Sequence, residues 1–266
     1  MGRAIIDRVI DLHAHILPGL DDGPATLDAS ADMAAVAAAA GTRVLAATSH
    51  INRSFGLTPA QLAEARERVV ARLAADGITL EVVQGGEVSI GRVEGLDDDD
   101  LRGLTLGDGP WLLLECPLSP YAPDMEPVVG ALRRRGLEIL LAHPERSPAF
   151  MRGPRALERL IDMGALVQLT STSFAGRFGE PARRAAFGML DAGHGHVIAS
   201  DAHGAGGRPP DLLCALEAFE QRYEAPQELF EWMTADVPAA IIAGEPLPPR
   251  PPMPPRRGGL FKRLRA

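Results

Sequence analysis

Short apolar runs recur along the chain, and amphipathic or Ala-rich stretches separate them. "VLAAT" at 44–48, "TLEVVQGG" at 79–86, "WLLLE" at 111–115, "EILLAH" at 138–143, "LVQLT" at 166–170 and "HVIAS" at 196–200 read as buried strands, and "AIIDRVI" precedes them near the N-terminus. The spacing between them predicts helices over 28–40, 59–75, 124–135, 154–163 and 180–192, several opened by Pro or Asp and closed by Gly. Such βα alternation predicts a parallel sheet, and about seven units in one α/β domain fit a closed or nearly closed barrel. An open doubly wound sheet satisfies the same alternation. No internal sequence repeat accompanies it.

Charge divides the chain unevenly. From Pro246 onward it reads "PLPPRPPMPPRRGGLFKRLRA", with five Arg, one Lys and no acid; removing that +6 from the formal −8 leaves the preceding body at −14. We therefore expect a folded unit over 1–245 and a Pro-rich basic tail over 246–266, extended, ending in "LFKRLR". The tail suits a solubilising extension, or an anchor for an acidic partner or an anionic membrane surface. The net negative charge argues against a nucleic-acid binder. Cys116 and Cys214 lack CxxC spacing, no basic-then-apolar leader opens the chain, and no apolar stretch is long enough to span a bilayer, so a cytoplasmic location is expected.

The chain has seven histidines, and most fall at the ends of predicted strands. His13 and His15 follow the first, His50 the second, His143 follows "EILLA", and Asp201 with His203 follows "HVIAS". Glu87 and Glu115 occupy equivalent places after "VVQGG" and "WLLL". Parallel barrels open all strand C-termini onto one face, so these side chains are expected to converge there. A single histidine is more often a satisfied core group than a ligand. The recurrence at several strand ends favours ligation. In a continuing strand, His13 and His15 point to one face, and mixed His–carboxylate ligation suits manganese, iron or zinc better than magnesium or calcium. The ligands exceed what one ion can use, so two or three divalent ions are implied.

In this order, "DLHAHILPGLDDG", "ATSH", "GGE", "LLLE", "LAHPER" and "ASDAHGAGGRPP" resemble the PHP-type (polymerase and histidinol phosphatase) metal-dependent protein-tyrosine phosphatases of bacterial capsule and exopolysaccharide systems. The resemblance runs from about Ile10 to Pro210 and includes "SFAGRFG" at 173–179. It implies a distorted (βα)7 TIM-like barrel and a trinuclear site commonly used with manganese. By the same resemblance His13, His15, Glu87 and Asp201 hold one ion, Glu87, Glu115 and His143 a second, and Asp22, His50 and His203 a third. Arg146 and Arg208 match positions that grip phosphate, and His203 is also a candidate for the catalytic step. The implied substrate is phosphotyrosine on a bacterial kinase linked to polysaccharide assembly. Ile51 stands where many members carry another His, and "SFGLTP" also departs from the pattern, which bears on substrate preference.

Other readings make different demands. A binuclear amidohydrolase commonly bridges its ions with a carboxylated lysine, but the only lysine is Lys262 in the tail. A cysteine-dependent tyrosine phosphatase needs Arg six positions after its Cys, where this chain has Ala122 and Glu220. A small-molecule phosphomonoesterase of the histidinol-phosphate type, a mononuclear amidohydrolase and a regulatory binding module remain as alternatives. His194 and His196 precede a strand and are expected at the opposite barrel mouth in a structural or surface role. "DDDD" at 97–100 is expected to be a solvated loop, and "GAGGRPP" a pliant loop presenting Arg208 rather than a nucleotide cradle.

Overall fold

The computed structural model describes residues 8–119 and 124–258. Among them, nine strand segments are found: β1 (Val9–Ala14), β2 (Thr42–Ala47), β3 (His50–Ile51), β4 (Glu81–Gln84), β5 (Glu87–Ser89), β6 (Trp111–Glu115), β7 (Glu138–Ala142), β8 (Leu166–Thr170) and β9 (Val197–Ala199). All pair in parallel, in the orders β1-β2-β4 and β3-β5-β6-β7-β8-β9. Two residues separate β2 from β3, and Gly85–Gly86 separates β4 from β5, so the two ladders are one ring with an interruption. A Cβ at Gly86 would stand 2.8 Å from Leu104 Cδ2, so a side chain there would have to displace the tip of Leu104.

The ring is joined between its ends. Ala14 bridges Ala202 in parallel, His15 N donates to Ala202 O at 2.8 Å, and Asp201 N donates to His13 O at 2.8 Å. Buried Asp11 supports this seam by accepting from His13 N at 3.2 Å and Ser200 N at 3.0 Å. The architecture is the distorted (βα)7 barrel that the alternation and the resemblance imply, and the open-sheet alternative is set aside.

The helices are α1 (Leu27–Ala39), α2 (Pro59–Asp76), α3 (Asp98–Arg102), α4 (Glu126–Arg134), α5 (Pro148–Arg152), α6 (Pro154–Asp162), α7 (Ser171–Phe174), α8 (Gly179–Asp191), α9 (Leu213–Arg222), α10 (Gln227–Glu231) and α11 (Val237–Ala243). Local chemistry explains α2 well: Thr58 and Gln61 form a capping box, Pro59 opens the first turn, and Gly77 ends the helix at φ 68°. The acidic run expected as a loop instead starts α3. Asp97 caps Asp100 N at 2.8 Å, and the next three acids occupy the first turn, where the helix dipole favours them. α9 with its N-cap residue buries Leu212, Ala215, Leu216 and Phe219 at helical spacing, and a π turn over Trp232–Asp236 interrupts the run from α10 to α11. An aromatic cluster anchors α9 and α10: Phe219 lies 5.0 Å from Phe174 and 6.3 Å from Phe230, and Tyr223 lies 6.3 Å from Phe187.

The Pro-rich segment is extended, as its composition predicts, but it lies along the barrel instead of hanging free. Glu224 N donates to Pro255 O at 2.8 Å, Arg257 N to Arg222 O at 2.8 Å, and Trp232 Nε1 to Pro248 O at 3.2 Å. Arg250 lies 5.1 Å over the Trp232 ring and donates to the carbonyls of Gly193 and Gly195, while Arg256 pairs with Asp191. Three of the tail's cations are thus engaged with the body, and "LFKRLR" falls outside the described residues.

His194 and His196 sit where expected, ahead of β9 at the mouth opposite the strand C-termini. His196 Nδ1 accepts from Val167 N at 3.2 Å, and burial, helped by nearby Arg250, pushes its pKa down to about 4.

Arg250→Ala should lower the unfolding free energy by about 1–3 kcal/mol, since it leaves two carbonyls without a charged donor. Urea unfolding unchanged by the substitution would mean that the strap contributes nothing to the fold. His196 is also testable through pH. The unfolded ring binds a proton below about 6.5 while the folded one resists until about 4, so its contribution is complete above the first value and lost towards the second. The unfolding free energy of His196→Asn should therefore fall less steeply than wild type between those pH values.

Candidate metal centre

The strand C-termini bring the expected ligands to one mouth, in two depths. His13, His15, Glu87, His143 and Asp201 are buried; His50, Glu115 and His203 are partly exposed, and Asp22 lies on the rim. Alternation along β1 aims both His13 and His15 inward, and their Nε2 atoms stand 3.3 Å apart. Glu87 Oε2 lies 3.4 and 3.5 Å from these nitrogens, and Asp201 Oδ1 lies 3.3 and 3.4 Å from them.

Partners behind the rings decide what those atoms are. His13 Nδ1 is 3.0 Å from Gln168 Oε1, which also accepts from His143 N at 3.2 Å, so the Nδ1–H donates to the amide oxygen. His15 Nδ1–H donates to Asp21 Oδ2 at 2.8 Å. In their neutral forms both imidazoles therefore turn an Nε2 lone pair towards two carboxylate oxygens. Acceptors facing acceptors in a buried space repel unless a cation joins them. Ligands about 2.1 Å from one ion stand about 3.4 Å apart at tetrahedral angles, so the spacing fits a divalent metal. Protonation answers the same repulsion: although burial opposes charge, Glu87 and Asp201 raise the pKa of His13, and Asp201, Asp21 and Glu87 raise that of His15 well above its ordinary value.

Glu87 links this cage to the rest. Its other oxygen, Oε1, contacts His143 Nε2 at 2.8 Å, and Oε2 contacts His50 Nδ1 at 2.8 Å. Glu87, His50 and Glu115 each offer a ligand atom within 4.8 Å of the others, and so do His15, Asp22, His50 and His203. These groupings differ from the division that the resemblance implies: His50 rather than His143 stands with Glu87 and Glu115, and His15 joins Asp22, His50 and His203. Burial, with repulsion from Glu87, raises the Glu115 pKa, as expected for clustered carboxylates awaiting a cation. His203 donates Nδ1–H to Asp201 O at 3.0 Å and turns Nε2 towards Asp22 Oδ1 at 3.3 Å; burial, then His15, pushes it to about 4.

Asp201 has a second face. Its Oδ2 accepts from both Arg146 and Arg208, whose guanidinium carbons lie 4.1 and 5.7 Å from the Phe178 ring centroid. Two guanidinium groups therefore adjoin the cluster of candidate metal ligands. His143 and Asp201 reach these positions through left-handed backbone, at φ 39° and 52°, conformations unfavourable for residues with a side chain. Neither cysteine offers a nucleophile: burial pushes Cys214 up to about 12 and Cys116 well above its ordinary value.

A family model described as "Capsular polysaccharide synthesis, CpsB/CapC" matches residues 9–243. The chain belongs to the CpsB/CapC family. It is 32% identical to the tyrosine-protein phosphatase YwqE of Bacillus subtilis, over 95% of this chain and 99% of that protein. Identity to the tyrosine-protein phosphatase CpsB of Streptococcus pneumoniae is 29%, over 88% and 98% of the two chains. A crystal structure from the study of YwqE and CpsB, described there as unique metal-dependent tyrosine phosphatases, superposes with a TM-score of 0.80 at 33% identity, covering 93% of this chain and all of that one. The lactonase Lmo2620 of Listeria monocytogenes shares the fold alone, with a TM-score of 0.58 at 11% identity over 91% and 96% of the chains.

Sequence reasoning missed the residues that orient the ligands. Asp21, one position before the expected Asp22, holds His15 and accepts from His50 N at 2.9 Å, and its pKa is lowered chiefly by His15 against the opposing effect of burial. Gly23 makes room for that loop, because a Cβ there would stand 2.3 Å from His15 O. Gln168 lay unnoticed inside "LVQLT", although a lone amide in an apolar strand is a signal that something buried needs a partner. Gln168→Leu should lower metal affinity about 10–100-fold by releasing the His13 ring. Competition against a calibrated chelator measures this, and an unchanged affinity would show that Gln168 does not orient His13.

Proposed function

We propose that this chain is a metal-dependent protein-tyrosine phosphatase, acting through His13, His15, Asp22, His50, Glu87, Glu115, His143, Asp201 and His203 on two or three divalent ions, with manganese preferred. The reading stands on one adjacency: acceptor atoms that need cations share Asp201 with two guanidinium groups that need an anion. A phosphate ester satisfies both. Family membership and the named phosphatases among its relatives supply the substrate class. The kinase partner in capsule or exopolysaccharide assembly belongs to this proposal, as does action at the inner membrane face; among the described residues no helix is long and apolar enough to cross a membrane.

Bound divalent ions supply Lewis acidity, acidifying water near neutral pH and neutralising charge on the phosphoryl group. The protein's own groups do the rest. Arg146 and Arg208 bind and orient the non-reacting phosphate oxygens, shifting donors from Asp201 Oδ2 to the substrate. The Phe178 face holds the Arg146 guanidinium in place during that exchange. Gln168 and Asp21 keep the inner imidazoles in the tautomer that exposes Nε2. A tyrosyl ester leaves as a phenolate whose conjugate acid has a pKa of about 10, so it is easier to expel than an alkoxide.

The decisive experiment compares a phosphotyrosyl peptide with small phosphate esters after reconstitution with each metal. We expect turnover to vanish on chelation and to return best with manganese, with elemental analysis finding at least two ions per chain. Arg208→Ala should raise KM for the peptide about 10–100-fold, the loss of a charged hydrogen bond. Chelator-resistant turnover would overturn the metal-dependent reading, and activity confined to small esters would replace the protein substrate with a metabolite.

A further inference from the structure

Beside the paired arginines runs a groove of about 200 Å³, lined by Leu118, Arg146, Met151, Phe178, Pro181 and Ala182. Except for Arg146, its walls are apolar. Leu118 is 46% exposed, one of four large hydrophobic side chains left open among the described residues, and no other member of that group lines this groove. The groove is continuous with the metal centre through one residue. Arg146 forms part of its wall, stacks on Phe178 at 4.1 Å and donates to the Asp201 carboxylate that faces the ligand cage. A phosphate held by Arg146 is therefore tethered at the groove's polar end, and the organic part of its ester meets the apolar walls.

We propose that this groove seats the aromatic ring of the phosphotyrosyl ester, making Leu118, Met151 and Phe178 determinants of aryl over alkyl phosphate. The assignment rests on the phosphatase reading and names the subsite that would give it selectivity. Size agrees, because an apolar cavity of about 150 Å³ already holds a benzene ring. Chemistry agrees as well: the Phe178 ring and the thioether of Met151 line the groove, and both are favourable aromatic neighbours. A methyl or hydroxymethyl ester would leave the same walls in water.

The test uses the full chain loaded with manganese and titrated calorimetrically with phenylphosphonate and methylphosphonate, which share an anionic head and differ by the ring. Wild type is expected to bind the phenyl compound about tenfold more tightly, a modest return for partial burial of one ring. Leu118→Ser, at an exposed position that leaves the core intact, and Met151→Ser should each cut that preference to about threefold or less while leaving methylphosphonate affinity unchanged. In parallel, KM for a phosphotyrosyl peptide should rise with little change in kcat. Equal affinity of wild type for the two phosphonates, or a preference that survives Leu118→Ser, overturns the ring site. If peptide hydrolysis persists in that case, the subsite alone falls; if manganese-loaded wild type hydrolyses no phosphotyrosyl peptide, the phosphatase reading falls and takes the subsite with it.

Discussion

Two imidazole lone pairs and two carboxylate oxygens, held 3.3–3.5 Å apart in a buried mouth, repel one another, and much of the barrel serves to keep them there. Such a cluster is unfavourable unless a cation, or protons on the imidazoles, join the acceptors, because burial removes the water that would otherwise screen them. The fold concentrates its constraints accordingly. His13 and His15 lie on the strand that closes the ring, and Asp201 arrives from the other side of the same seam, so closure of the barrel and assembly of the cage are one event.

The supporting residues show how strain and hydrogen bonding divide this task. Gln168 and Asp21 fix which nitrogen of each ring is free, while the left-handed backbone at His143 and Asp201 turns side chains inward at points where a strand would carry them past. Each left-handed residue costs about 1–3 kcal/mol, tolerable only because the surrounding hydrogen bonds allow no alternative. On its outer face Asp201 gathers two arginines, so one carboxylate couples the cation and anion halves of the centre. Substitution at Asp201 therefore disturbs both halves together, and substitutions in the arginines separate them.

At the far mouth the energetics are of another kind. His196 is kept neutral by burial, and Arg250 caps carbonyls of the turn before β9. Among the described residues none of the candidate metal ligands lies there, so stability at that end can change without altering the chemistry, the usual division in barrels of this type. The docked strap also limits what the basic tail can do, since Arg256 is paired with Asp191 and Arg250 is turned inward. An anionic partner would have to compete with those contacts or use the residues beyond Gly258.

The sequence by itself determined the alternation of strands and helices, the parallel pairing of the strands and the ligand types at the strand ends, while closure into a ring rather than an open sheet was decided by the seam between Ala14 and Ala202. Those signals are local: apolar runs set strands, and a polar side chain directly after such a run must lie at a strand terminus. The caps at Thr58 and Asp97 emerged only with the structure, and the acidic run read as a loop because its charge hid a short first turn. Tertiary structure alone decided which atoms face one another. Gln168 serves His13 from 155 residues away, and Phe178 reaches Arg146 and Arg208 only after α8 packs beside the mouth. The docking of the Pro-rich segment was equally hidden, since its composition dictates extension but not the carbonyls and indole that receive it. Orientation, tautomer and docking depend on distances between segments remote in the chain, and those distances exist only once the barrel has closed.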